Sequence, residues 1–260
     1  MANIKMLIAG AGAAAVAGAA IVTQTLRDDG VSEGARDAAG YEVCLKSNLA
    51  FFEGVSAKCY AQADLYALRT KQVVDGQGAP ASLTMTHPSD ASVAPAEIRT
   101  CAEYNEMTSG GWYAATSLEI RREGFFIRAC GALAALAEAQ PADRSFFNEG
   151  SPDEKGVAAI SASMRFGESA IGAEAVRVEK SGSYEWRITA GAMTITLQEF
   201  ANADFDNDGI EEILAFAAGA PSGGSAAYYE TGLIEKDAGT AAVAFTPLTL
   251  GRRAASGAGG

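Results

Sequence analysis

Histidine is almost missing from this sequence: one copy, His87, in 260 residues. That scarcity excludes most metal sites and acid–base machinery built on imidazole. Positive charge is also short. Twenty Lys and Arg stand against 32 Asp and Glu, a net charge of −12. A nucleic-acid binder needs a basic face to displace counterions from phosphates, so that class is excluded. There is no C-x-x-C pair, which removes zinc ribbons and thioredoxin-like redox chemistry. Neither a G-x-S-x-G elbow, an S-x-x-K pair nor a Walker A loop occurs; Ser225 sits in Gly-Gly-Ser-Ala. What is present is ordinary for a folded protein, with 48% hydrophobic and 20% charged residues. The length predicts one large domain or two smaller ones.

The N-terminus carries one cation, Lys5, and then an uncharged stretch from Met6 to Thr25 with A-x-A sites at Ala15-Val16-Ala17 and Ala17-Gly18-Ala19. Residues 1–25 therefore read as a signal peptide or a membrane anchor. Residues 26–40 read as a flexible tether. Gly10-Ala11-Gly12-Ala13-Ala14-Ala15 also fits a dinucleotide-binding turn, but the stretch after it lacks the buried second strand that such a fold requires.

Cys44, Cys59, Cys101 and Cys130 make an even count behind an export signal, which reads as two structural disulfides; the competing reading is four buried thiols in a cytosolic protein. Three pairings are open. On one straight helix Cys44 and Cys59 would stand roughly 22 Å apart, so joining them needs a chain reversal. Glu53-Gly54 is the place for one, and 44–59 with 101–130 is the preferred pairing.

From Tyr41 to Val74 apolar residues recur at helical spacing, and Asp75–Ala94 reads as a loop carrying His87. Pro95 predicts the first turn of a short helix to about Met107. Thr116-Ser117-Leu118-Glu119 predicts a capped helix running to about Gln140, and Ser151-Pro152-Asp153-Glu154 opens another to about Met164. Beyond Ala173 the period changes to two. Val176/Val178, Tyr184/Trp186/Ile188 and Met193/Ile195/Leu197 predict strands joined by turns at Ser181-Gly182 and Ala190-Gly191. Further strands are expected at 212–216, 226–234 and 241–248. The expected fold is α+β: a disulfide-braced helical half, 41–150, then an antiparallel β-rich half, 151–250, and a disordered tail, 251–260.

The most informative stretch is Asp204-Phe205-Asp206-Asn207-Asp208-Gly209-Ile210-Glu211-Glu212. Acids at positions 1, 3, 5 and 9 of a tight loop converge on one point. Glycine at position 6 permits the turn, and Ile210 can offer its carbonyl. A hard cation with six to eight oxygen ligands suits such a loop. An EF-hand would need glutamate at position 12 and an aliphatic residue at position 8, where this chain has Ala215 and Glu211. The loop resembles the D-x-D-x-D-G-x-x-D/E calcium loop of FG-GAP/VCBS-type repeats, found in integrin-like β-propellers. That resemblance implies Asp204, Asp206, Asp208 and Glu212 as side-chain ligands of Ca2+, with Ile210 giving its carbonyl. It also implies a loop joining two strands, the second being the apolar run Ile213–Phe216. Glu212 departs from the family's usual aspartate. No second copy occurs, so a propeller of repeats is not implied.

Together these features predict an exported, calcium-stabilised, non-catalytic binding or assembly protein of the bacterial envelope or extracellular space. Its partner would be another envelope or extracellular protein or a glycan, with a membrane tether through the N-terminal segment as an option. The alternative is a carboxylate-based cell-wall or glycan hydrolase using Glu103 and Glu106, which fall on one helix face.

Overall fold

Alternating apolar and polar residues after Val176 become a six-stranded antiparallel meander in the structure, a computed structural model. It describes residues 41–49, 51–90, 92–166, 169–170, 176–222, 228–236 and 242–248. The signal or anchor segment, the tether, the tail and Ser225 lie outside them. The described residues fall within one compact unit, Ala39–Gly260.

In chain order the elements are β1 (Glu42–Cys44), β2 (Cys59–Ala61), α1 (Gln62–Ala67), β3 (Leu83–Met85), β4 (Ala96–Ile98), α2 (Cys101–Ser109), α3 (Ser117–Glu138) and α4 (Glu154–Ser163). They continue with β5 (Arg165–Phe166), β6 (Ser169–Ala170), β7 (Val176–Gly182), β8 (Glu185–Ala190), β9 (Met193–Ala203), β10 (Glu212–Pro221), β11 (Tyr228–Lys236) and β12 (Val243–Pro247). The fold is mixed α+β with antiparallel sheets, and most of its helix lies in the disulfide-bearing N-terminal half.

The large sheet has the order β12-β11-β10-β9-β8-β7. Because successive side chains point to opposite faces, β10 feeds two cores at once. Leu214 and Phe216 join α3 residues such as Phe126, Leu133 and Leu136 on one face. Ile213, Ala215 and Ala217 join Val157 and Ile160 of α4 on the other. Each fully buried side chain of this kind contributes roughly 1.5–3 kcal/mol. Close approach of α3 to the sheet depends on two glycines. A Cβ on Gly131 would meet Thr231 Cβ at 2.6 Å, and one on Gly124 would meet the Tyr229 ring at 2.8 Å.

Three expectations for the N-terminal half need correction. The helical spacing over 41–74 yields β1, β2 and only the short α1, because the chain reverses between them. Gly54, at φ 79°, sits in that reversal, and Cys44 faces Cys59 across the antiparallel pair. Both disulfides are present, Cys44–Cys59 and Cys101–Cys130, the second fastening α2 to α3. The loop expected over 75–94 contains β3, which pairs with β4. The helix expected from Pro95 starts instead at Cys101. Its N-terminus is a full capping box, in which Thr100 accepts from Glu103 N–H and Glu103 Oε2 accepts from Thr100 N–H at 3.0 Å. The Thr100-x-x-Glu103 spacing carried that signal.

α3 keeps only half of the expected box. Thr116 accepts from Glu119 N–H, while the Glu119 carboxylate turns to Thr84 N–H at 2.9 Å and to Arg122 at 3.0 Å. Glu199 falls in phase with Ile195 and Leu197 on the α4 face, and a β-bulge just after it, opposite Leu214/Ala215, brings Ala201 and Ala203 round to the α3 face. There Glu199 is fully buried and accepts from Lys46 Nζ at 2.9 Å, Ser151 Oγ at 2.7 Å and Trp186 Nε1 at 3.0 Å.

Replacing Gly131 with alanine tests the helix–sheet approach. Helix propensity alone favours alanine by about 1 kcal/mol, yet the collision with Thr231 on β11 is expected to leave the protein about 1–2 kcal/mol less stable. A lowered urea midpoint at unchanged slope is the expected readout, and a raised midpoint contradicts the packing described.

Candidate metal centre

The loop between β9 and β10 folds back because two residues take up left-handed backbone, Asn207 at φ 68° and Gly209 at φ 82°. Glycine adopts that region freely, and asparagine is the side-chain-bearing residue most often found there. The reversal lets one carboxylate serve three backbone donors. Asp204 Oδ1 accepts from Asn207 N–H at 2.7 Å and Asp208 N–H at 3.2 Å, and Oδ2 accepts from Gly209 N–H at 3.0 Å. Asp208 Oδ1 accepts from Ile210 N–H at 2.7 Å, and Asp206 Oδ1 from Asp208 N–H at 3.2 Å. Glu212 reaches back to Phe205 N–H at 2.7 Å and so closes the base of the loop.

Oxygens of Asp204, Asp206, Asp208 and Glu212 come within 4.8 Å of one another, a grouping that can hold a metal ion. Asp204 and Glu212 form a buried floor, and Asp206 and Asp208 an exposed rim. Ile210 is bridged in parallel to Arg144, with Arg144 N–H donating to Gly209 O at 3.2 Å and Glu211 N–H to Arg144 O at 2.8 Å. In that pattern both polar backbone groups of Ile210 face away from Arg144. Its N–H accordingly turns to Asp208, and its carbonyl lies on the same side.

The segment after α3, where the sequence signals only the end of a helix near Gln140, holds this loop in place. Gln140 and Asp204 exchange two backbone hydrogen bonds, at 2.8 and 2.9 Å. Asp143 N–H donates to Gly209 O at 3.0 Å. Side chains extend the join: Glu211 Oε1 accepts from Ser145 Oγ at 2.7 Å and from Asn202 Nδ2 at 3.0 Å. Backbone pairs of this kind leave no trace in side-chain pattern.

Electrostatics gives the cluster its character. Burial, followed by the repulsion of Asp206, Asp208 and Asp204, pushes the Glu212 carboxyl up to about 7, against the pull of its Phe205 hydrogen bond. Burial and then the Asp208 charge push Asp206 upward as well. Among the described residues none of the four carboxylates is paired with a Lys or Arg. Hard oxygen donors under mutual repulsion favour a cation, since an ion removes the repulsion that closing the loop creates.

Other candidate groups have structural partners. Glu103 closes the α2 capping box, and its hydrogen bonds to the Arg99 and Thr100 amides hold its carboxyl below the ordinary range. His87 Nδ1 accepts from Asp90 N–H at 3.0 Å in a turn, with its ring edge-on to Trp112. Tyr229 stacks on Phe216 beneath α3.

Glu212 gives a pH test with a defined sign. Its carboxyl titrates higher folded than unfolded, so the folded state binds the extra proton. In chelator, stability is expected to fall as pH rises from the ordinary carboxylate range through about 7. Glu212→Gln is expected to flatten that slope, read as melting temperature against pH. An unchanged slope in the variant contradicts the assignment. No family model matches the chain, and neither a curated protein nor a solved structure matches it, so the centre is defined by its own residues.

Proposed function

We propose that the chain is an exported, non-catalytic binding or assembly protein of a bacterial envelope or extracellular space, stabilised by Ca2+ in the 204–212 loop. The observation that carries this reading is the convergence of four carboxylates within 4.8 Å on a loop stitched to a second segment of the chain. Two disulfides fit an oxidising compartment. The apolar, A-x-A-bearing N-terminus supports export. No helix among the described residues is long and apolar enough to cross a membrane.

Calcium suits the centre better than magnesium. Four carboxylates and the Ile210 carbonyl make a ligand set that can exceed six oxygens, whereas magnesium prefers a compact octahedron and keeps its waters. The position of the loop between antiparallel β9 and β10, with Ile213–Phe216 running on as buried strand, supports the resemblance to FG-GAP/VCBS-type calcium loops. All five proposed ligands come from one short loop, which favours a stabilising ion over a reaction centre. A partner protein or glycan of the same compartment is the expected ligand of the folded domain.

Thermal unfolding of the full protein in chelator and in about 1 mM calcium tests the proposal. An extracellular-type site with a dissociation constant near 0.1 mM would add about 1.4 kcal/mol, or roughly 3–6 °C for a domain of this size. Asp206→Ala/Asp208→Ala is expected to abolish the shift. A shift that survives in that double variant, or none in the parent, contradicts the calcium assignment.

A further inference from the structure

The segment that clasps the acidic loop continues into one wall of a cleft of about 720 Å3, within the roughly 300–1,000 Å3 common for small-ligand sites. That wall is 147–153. Opposite it stand the β7–β8 hairpin and the facing ends of β11 and β12. The cleft mixes aromatic and ionic groups. Tyr184 is half exposed at the hairpin, and Trp186 is immobilised by its bond to buried Glu199. Lys180 Nζ lies 5.2 Å from the Trp186 ring, and Lys236 Nζ 6.0 Å from the Phe147 ring. Neither ammonium has a carboxylate at ion-pair distance among the described residues. In a chain of net charge −12, two lysines without ion pairs over aromatic rings, in a cleft that Glu149 and Asp153 also line, favour a ligand with flat apolar faces, carboxylates and hydroxyls. Pyranose rings bearing uronate groups have that chemistry, with hydroxyls for Asn148 and Ser183, which also line the cleft.

The wall opposite the hairpin holds an uncommon backbone. Glu149 has φ 55° and Gly150 φ 69°, and a left-handed non-glycine persists only where its surroundings impose it. Those surroundings are two anchors. At one end Ser151 bonds to Glu199 at 2.7 Å, and Lys46 Nζ donates to Gly150 O. At the other, Ser145 Oγ bonds to Glu211 Oε1 at 2.7 Å, and Asn202 Nδ2 of β9 links that oxygen, at 3.0 Å, back to Gly150 O, at 2.8 Å. The second anchor therefore runs through Glu211 of the acidic loop and Asn202 of β9.

We propose that this cleft binds a carboxylate-bearing glycan and that the cation in the acidic loop raises its affinity by holding the 145–151 wall in its binding shape. The proposal rests on the cation reading above. Without the ion, repulsion among Asp204, Asp206, Asp208 and Glu212 opens the loop that carries Glu211 and Gly209, and the wall loses its tie to Glu211. Linkage requires the reciprocal effect, tighter cation binding in the presence of the glycan.

Calorimetric titration of the full protein tests this with a hyaluronan tetrasaccharide (alternating glucuronate and N-acetylglucosamine) at matched ionic strength, in calcium and in chelator. Calcium is titrated alone in parallel. Tetrasaccharide binding is expected to tighten about fivefold or more in calcium. Tyr184→Ala and Lys236→Gln are expected to lose the tetrasaccharide while keeping the calcium heat. Asn202→Ala is expected to keep both ligands but lose most of the calcium effect. A missing calcium heat overturns the cation reading and the coupling with it. A normal calcium heat with no tetrasaccharide binding overturns the cleft assignment alone. Equal affinity in chelator overturns the coupling. Equal binding of chitotetraose overturns the role of the carboxylates, and equal binding of tetraglutamate replaces the glycan with an acidic peptide.

Discussion

Mutual repulsion among four carboxylates is the constraint around which this structure is arranged. Bringing Asp204, Asp206, Asp208 and Glu212 within 4.8 Å costs energy that the backbone donors inside the loop offset only in part. Asp204 is the best served, with three N–H groups. Glu212 has one, and it sits at the buried base beside three like charges. The imbalance favours a cation at the loop, and the loop in turn carries the join to residues 140–145. An ion held there would touch two segments that are distant in sequence.

A second buried charge, Glu199, works by the opposite logic. Its carboxylate is fully enclosed but receives Lys46, Ser151 and Trp186, so its burial is satisfied without an ion. Such a network contributes little net stability compared with an apolar core, yet losing any one partner is costly. It specifies where the segment after α3 must lie. One end of that segment is held by a complete polar network and the other by an incomplete one.

How much of this was legible in the sequence depends on whether an element signals through side-chain period or through backbone pairing. Strands β8 and β9 showed themselves because a face is buried and the alternation is regular, as at Trp186/Ile188 and Ile195/Leu197. α3 was visible from the Thr116-Ser117-Leu118-Glu119 cap at its start. β1 to β4 were not, because three-residue strands are too short for a period and their partners lie up to nineteen positions away, as for Glu42 and Ala61. The acidic loop was legible from spacing alone, since positions 1, 3, 5 and 9 of a turn meet by geometry. Its clasp at Gln140–Arg144 was hidden, because amide-to-carbonyl bonds use no side chain. Glu199 was hidden too: it falls in phase with Ile195 and Leu197, and only the fold brings Lys46, Ser151 and Trp186 to its carboxylate.

A cation in the acidic loop would stabilise both that loop and the segment clasped to it. Amide hydrogen exchange, with and without calcium, measures this directly, since protected amides report local opening. Calcium is expected to slow exchange together at Asn207–Glu211 and at Gln140, Asp143 and Arg144, while the β7–β8 pairing exchanges at an unchanged rate. Protection confined to 204–212, or none in either segment, would contradict it.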